Sequence, residues 1–234
     1  MYIYAYGKKF FFACLITVMM LFSLVSFNSS AAVEKQFENT VASANGRVYV
    51  IQRDRSLWYW GKATFNDFAG DQSPLRASKT KLMDDVIGVY GDWWSGFAIK
   101  SDRSLWSIGN SDQPAIKIMG GVKEVVNTYT QWLALKTDGT VWRGSIYEDQ
   151  SKPKQVMSGV EQISAGIESF YALKEDGSLW GWGENYSGEL GVKTKSPDVV
   201  APAQIMMDVE SVYGTGMRGY AIKKDGTPLG LGQK

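Results

Sequence analysis

The chain has 234 residues, 44% of them hydrophobic and 13% aromatic, with 25 basic against 24 acidic side chains and a net charge of +1. That length supports one domain or a repeat array with a substantial core, and the even charge balance supplies no field for nucleic acid or an anionic membrane. Histidine is absent, which excludes Ser-His-Asp chemistry and His-containing zinc sites.

The N-terminus reads MYIYAYGKKFFFACLITVMMLFSLVSFNSSAAVEK. Lys8 and Lys9 precede an uncharged, mostly apolar run from Phe10 to Phe27, and Ser30, Ala31 and Ala32 offer small residues for cleavage before Val33. This is the layout of a secretory signal peptide over residues 1–32. The run of 18 residues also just reaches across a bilayer, so an uncleaved signal anchor is the alternative and the one membrane attachment expected. In either case the body of the chain is expected outside the cytoplasm, secreted or in the cell envelope. It then carries 23 basic and 24 acidic residues. Cys14, the one cysteine, falls inside the apolar run, so the mature chain depends on packing and not on disulfides.

From residue 37 onward the sequence repeats itself, in units near 37–84, 85–121, 122–159, 160–207 and 208–232. The repeated stretch is VYVIQRDRSLWYWG, FAIKSDRSLWSIG, WLALKTDGTVWRG, FYALKEDGSLWGWG and YAIKKDGTPLGLG. It aligns Asp54, Asp102, Asp138, Asp176 and Asp225, spaced 48, 36, 38 and 49 residues apart. A second apolar segment precedes each (ENTVASANG, DVIGVYGD, VKEVVNTY, VEQISAGI, VESVYGTG).

An apolar run, Asp-Gly, and a second apolar run together signal a β-hairpin with a type I′ turn. The Asp54-Arg55 and Asp102-Arg103 turns lack the glycine. They are therefore expected to be strained, by roughly 1 kcal/mol for a non-glycine residue at positive φ, or of another type. The strands alternate poorly, Phe170 to Leu173 being wholly apolar, as strands covered on both faces do. Repeats of this length with several short strands and no helical period give the expected fold: all-β, a propeller-like array of about five units. Such an array can close as a small ring, stay open, or associate with a second chain through its open blade edges.

The fourth unit carries ISAG, YALKEDGSLWGWGENYSGELG and PAQI, and in these it resembles the regulator of chromosome condensation repeat family. Ala172-Leu173, Asp176-Gly177, Trp182-Gly183-Glu184-Asn185 and Gly188-Glu189-Leu190-Gly191 meet the family pattern. The likeness spans roughly residues 37–232, diluted outside this unit. It implies a propeller, which typical members close with about seven blades. A histidine usual before the Ala-Leu strand is replaced by Ser95, Gln131, Ser169 and Arg218. Pro228 demotes the last hairpin strand to an edge. The nucleotide-exchange activity known in the family has no residues that map here, so the resemblance implies fold and not function.

The five aspartates recur once per unit, whereas catalytic acids come as one asymmetric pair, so they read as turn residues. Trp58, Trp106, Trp142 and Trp180 share one hairpin position and Trp60 and Trp182 another, which points to packing between blades. Trp93, Trp94 and Trp132 escape the repeat and are the candidate ligand contacts. By count from the turn aspartate, Trp93-Trp94 stand where Tyr129-Thr130 and Ile167-Glu168 stand in the next two units. Adjacent indoles in Gly-Asp-Trp-Trp-Ser-Gly suit a protein or glycan contact. No phosphate loop, calcium loop or Cys/His cluster is present in the sequence. The expectation is an exported, non-enzymatic binding module without cofactor, metal or nucleic acid, its partner a protein or glycan. The alternatives are a lectin-like surface and a glycoside hydrolase with its acids in loops.

Overall fold

The structure is a computed structural model, and it describes residues 40–44, 46–61, 79–92, 95–108, 114–147, 152–186, 188–192 and 198–231. These form five antiparallel sheets, each running in chain order. The first contains β1 (Val41–Ala44), β2 (Arg47–Ile51), β3 (Leu57–Gly61) and β4 (Thr80–Met83). The second contains β5 (Val86–Gly91), β6 (Gly96–Lys100), β7 (Leu105–Ser107) and β8 (Ile116–Met119), and the third β9 (Val122–Asn127), β10 (Gln131–Lys136), β11 (Val141–Ser145) and β12 (Lys154–Met157). In the fourth are β13 (Val160–Ala165), β14 (Ser169–Lys174), β15 (Leu179–Glu184) and β16 (Asp198–Met206), and the last has three strands, β17 (Val209–Thr215), β18 (Arg218–Lys223) and β19 (Pro228–Leu231). No helix occurs among the described residues.

The expected type I′ hairpin is replaced by a three-residue loop. In the fourth sheet Gly177 N–H donates to the Lys174 carbonyl at 2.9 Å, and Lys174 N–H donates to the Ser178 carbonyl at 3.0 Å. Only the third loop residue, Gly177, has positive φ, at 81°. A type I′ turn needs positive φ at both central residues, whereas a type I turn with a G1 bulge needs it at one. Arg55 (φ 64°) and Arg103 (φ 61°) occupy the same position, so the two Asp-Arg turns have the same form as the Asp-Gly turns and carry the local strain of a side chain there.

These left-handed residues join the sheets. Val86, Val122, Val160 and Val209 N–H groups donate to the carbonyls of Arg55, Arg103, Gly139 and Gly177, at 2.8–3.1 Å. Each sheet-to-sheet connection holds a second left-handed residue: Asp85, Gly121, Gly159 or Asp208. Their carbonyls accept from Ser101, Thr137, Glu175 and Lys224 of the following hairpin, at 2.8–3.1 Å. One hydrogen bond thus ties each hairpin loop to the first strand of the next sheet, and a second extends that sheet's own first strand pair, so both satisfy backbone groups that tight connections would otherwise strand.

Apolar layers fill the space between consecutive sheets. Phe97, Ile99 and Leu105 meet Val122, Val125 and Trp132, while Leu133, Leu135 and Val141 meet Val160, Ile163 and Phe170. Tyr171, Leu173 and Leu179 meet Val209, Val212 and Ala221. Successive side chains of one strand thus serve opposite interfaces, which is why the strands read as unbroken apolar runs.

Candidate functional site

The repeated aspartates are occupied by their own turns. Asp176 Oδ1 accepts the Ser178 N–H at 2.8 Å and the Ser178 hydroxyl at 2.5 Å. Asp54 and Asp102 hold Ser56 and Ser104 in the same way, and Asp138 holds Thr140. Asp225 accepts the Thr227 N–H at 2.9 Å. Hydroxyl and amide donation by the residue two positions on holds the first four carboxyls below their ordinary value, with Asp138 lowered to about 2. The backbone donor leads the same shift at Asp225. Carboxylates tied this way are poor proton carriers at neutral pH.

The hydroxyls pass the chain on. Ser56, Ser104, Thr140 and Ser178 accept the indole N–H of Trp58, Trp106, Trp142 and Trp180 at 2.7–3.0 Å. These four tryptophans are half-buried, and Trp142 and Trp180 stand outside the apolar layers that their faces border, which corrects the expectation that those two pack between blades. The indole N–H is drawn to the turn, and three of the rings lie near the lysine just before it, Lys174 Nζ being 5.3 Å from the Trp180 ring. Trp182 differs: it is buried between the third and fourth sheets with Phe170, the ring centroids 5.8 Å apart.

Trp132 is fully buried, so it is a packing residue and not a ligand contact. Its ring lies across Gly144, its cross-strand partner, and beside Phe97 at 5.8 Å. Trp93 and Trp94 lie outside the described residues.

The repeat places Trp93-Trp94 in register with Tyr129-Thr130 and Ile167-Glu168, and the described part of that face holds a groove. It has a volume of about 200 Å³ between the third and fourth sheets, lined by Gln131, Arg143, Glu168, Phe170, Trp182, Gly183, Glu184 and Val199. A second groove of about 230 Å³ continues past Arg143 to Tyr147, Lys152 and Lys154. Thr130 donates its hydroxyl to Glu168 Oε2 at 3.0 Å. Burial pushes the Glu168 carboxyl up, the Thr130 hydroxyl opposes this, and Glu184 adds to it. The arrangement offers a guanidinium, two carboxylates and an exposed phenol along one surface, donors and acceptors suited to a polar, charged segment.

Sequence reading missed Arg143, Glu168 and Glu184. The signal was available for Arg143, whose place is taken by Tyr59, Ser107 and Gly181 in the first, second and fourth sheets. Among the described residues there is no group of three or more acidic, Cys or His side chains able to hold a metal.

The model for the regulator of chromosome condensation repeat matches residues 160–189. Human WBSCR16 aligns with a TM-score of 0.67 at 17% identity, over 84% of this chain and 62% of its own. Yeast RCC1 (Prp20), solved bound to Kap60, aligns at 0.64 and 13% identity, over 81% and 55%. The CRINKLY ectodomain of the Arabidopsis thaliana receptor kinase ACR4 aligns at 0.52 and 16%, over 83% and 72%. No curated protein sequence matches the chain. The chain spans less than two thirds of the first two structures, and likeness at such identity concerns fold. Five antiparallel sheets with these structural neighbours show a β-propeller-type fold, and its fourth sheet carries a regulator of chromosome condensation repeat at residues 160–189.

Proposed function

We propose that the chain is an exported, non-catalytic interaction module that takes a protein partner on the groove face of its third and fourth sheets. The observation that carries this is the pairing of roles. All five repeated carboxylates are used inside their turns. The unrepeated Arg143, Glu168 and Glu184 line an open groove, and Tyr147 is 69% exposed at its extension. Unrepeated polar groups on a rigid scaffold are where binding specificity is built. Protein binding by the yeast neighbour, seen with Kap60, supports the reading. Export rests on the layout of residues 1–32.

The test places a photo-crosslinking side chain at Tyr147 and, as control, at Lys81 on the first sheet, in cells that make the protein. A discrete protein adduct from position 147, weakened by Arg143→Glu and absent from position 81, is expected in the secreted or envelope fraction. Equal labelling at both positions, or recovery of the chain in the cytosol with residues 1–32 intact, overturns the proposal. Turnover of a glycoside that Glu168→Gln abolishes would also overturn it.

A glycan partner is the second reading, favoured by the adjacent Trp93 and Trp94. Binding on a glycan array that Trp94→Ala removes would select it.

A further inference from the structure

The four interfaces between consecutive sheets share one construction. Each sheet offers a leading face to the next, formed by Tyr171, Leu173 and Leu179 in the fourth sheet. Each offers a trailing face to the one before, with Val125, Ile163 or Val212 at its centre. At all interior interfaces these positions are buried.

The outer sheets show the same positions to solvent. In the fifth sheet the register places Tyr220, Ile222 and Pro228 where the fourth has Tyr171, Leu173 and Leu179. Tyr220 is 41% and Ile222 37% exposed, and Pro228 is exposed too. In the first sheet Val41 stands opposite Val50 as Val125 stands opposite Ala134, and Val48 stands opposite Trp60 as Trp132 does opposite Gly144. Val41 is 60% and Val48 45% exposed, and Trp60 is only half-buried. Among the described residues, strands of the first and fifth sheets do not pack on each other as neighbouring sheets do.

We infer that the leading face of the fifth sheet receives the trailing face of the first sheet of a second copy of this chain, head to tail. The occupant follows from continuity with the interior interfaces: this pair of faces has the two halves of the contact that the chain makes four times within itself. The contact is heterologous, so assembly continues to a ring or an open chain unless one face is blocked. It uses neither groove and stands independently of the proposed function.

The experiment measures mass by light scattering on the full chain over a concentration series. The native protein is expected to rise in mass beyond a dimer as concentration rises. Val48→Glu blocks one face and Ile222→Glu the other, so each variant alone is expected at monomer mass. An equimolar mixture keeps one open face of each kind and is expected to stop at a 1:1 dimer, which also shows that both variants fold. A native chain that stays monomeric overturns the inference. So does a single variant that still dimerises, since that marks a symmetric contact, or a mixture that stays monomeric while both variants keep the native melting transition.

Discussion

Trp132 occupies the space that a side chain at Gly144 would need: a Cβ built on Gly144 would sit 2.2 Å from Cε2 and Cζ2 of the indole. The two residues are cross-strand partners in β10 and β11. In the fourth sheet the same pair is Phe170 and Trp182; in the second, Gly96 has Ile108 against it. Bulk moves between the two members of the pair from unit to unit, and in the third it is all on Trp132. Gly144→Ala is therefore expected to destabilise by about 1–3 kcal/mol through overpacking. Trp132→Phe/Gly144→Trp, which copies the fourth sheet, is expected to recover much of the loss relative to Trp132→Phe/Gly144→Ala. Thermal melts of the variants check this; an unchanged melting temperature in Gly144→Ala contradicts it.

The same pair shows what was legible in the sequence. Repetition exposed the hairpins, the aspartate turns and the sheet count, because each recurs at a fixed place. Trp132 looked like a departure only because its compensation, Gly144, lies twelve residues away on the partner strand, and a single-strand comparison hides cross-strand volume. The hairpin type was misread for a related reason. Asp-Gly fits both turn classes, and only the φ values show one left-handed residue in place of two. The groove residues were missed because Glu168 and Glu184 meet only through the pairing of β14 with β15, where the Glu184 N–H donates to the Glu168 carbonyl at 2.8 Å, and Arg143 joins them only when the third and fourth sheets pack.

Burial of Trp132 leaves its indole N–H without a hydrogen-bond partner, a desolvation cost that packing has to exceed. Trp132→Phe removes that orphan donor along with part of the ring volume. It is expected to cost less than the 3–5 kcal/mol order typical of removing a buried Trp side chain altogether, with Trp132→Ala at the upper end. Denaturant midpoints of the two variants check this order, and a loss in Trp132→Phe as large as that in Trp132→Ala contradicts it.

The turn aspartates set the acid limit. A carboxyl whose folded pKa lies below its unfolded value stabilises the fold above the unfolded value, and that contribution is lost as pH falls through the folded one. For Asp138 the window runs from 3.8 down to about 2, and Asp54, Asp102, Asp176 and Asp225 are shifted the same way. Stability is expected to fall as the pH drops below about 4. Thr140→Val removes the main cause of the Asp138 shift and is expected to return that carboxyl toward its ordinary value. Carboxyl titration by NMR reads both effects, and a Thr140→Val chain with Asp138 still titrating near 2 contradicts the assignment.

Glu168 has the opposite sign. Burial raises its carboxyl, so the folded chain holds that proton more tightly than the unfolded chain, and stability falls as pH rises from the model-peptide value of 4.5 through the raised folded value. Glu184 and Asp92 add repulsion once Glu168 is charged. Glu168→Gln keeps an acceptor for the Thr130 hydroxyl and removes the charge. The variant is expected to be more stable than the native chain at neutral pH, with the difference vanishing on acidification. Melting temperatures at pH 4 and pH 7 check the sign, and a variant less stable at pH 7 refutes it.

Arg103 holds a glycine's place in its turn, at φ 61°, while its carbonyl accepts the Val122 N–H at 2.8 Å. The conformation is therefore required by the junction and cannot relax without breaking it. A β-branched residue is less tolerant of positive φ than an unbranched one, and glycine has no Cβ to strain. Arg103→Val is expected to destabilise by more than about 1 kcal/mol. Arg103→Gly relieves strain but adds freedom to the unfolded chain, two terms of similar size and opposite sign, and is expected to fall within about 1 kcal/mol of the native chain. The order Gly above Val, measured by equilibrium unfolding and repeated at Arg55, is the signature of a left-handed turn residue. If valine is tolerated as well as glycine, the turn does not require positive φ, and the hydrogen bonds that Arg55 and Arg103 accept from Val86 and Val122 are not what holds this backbone in place.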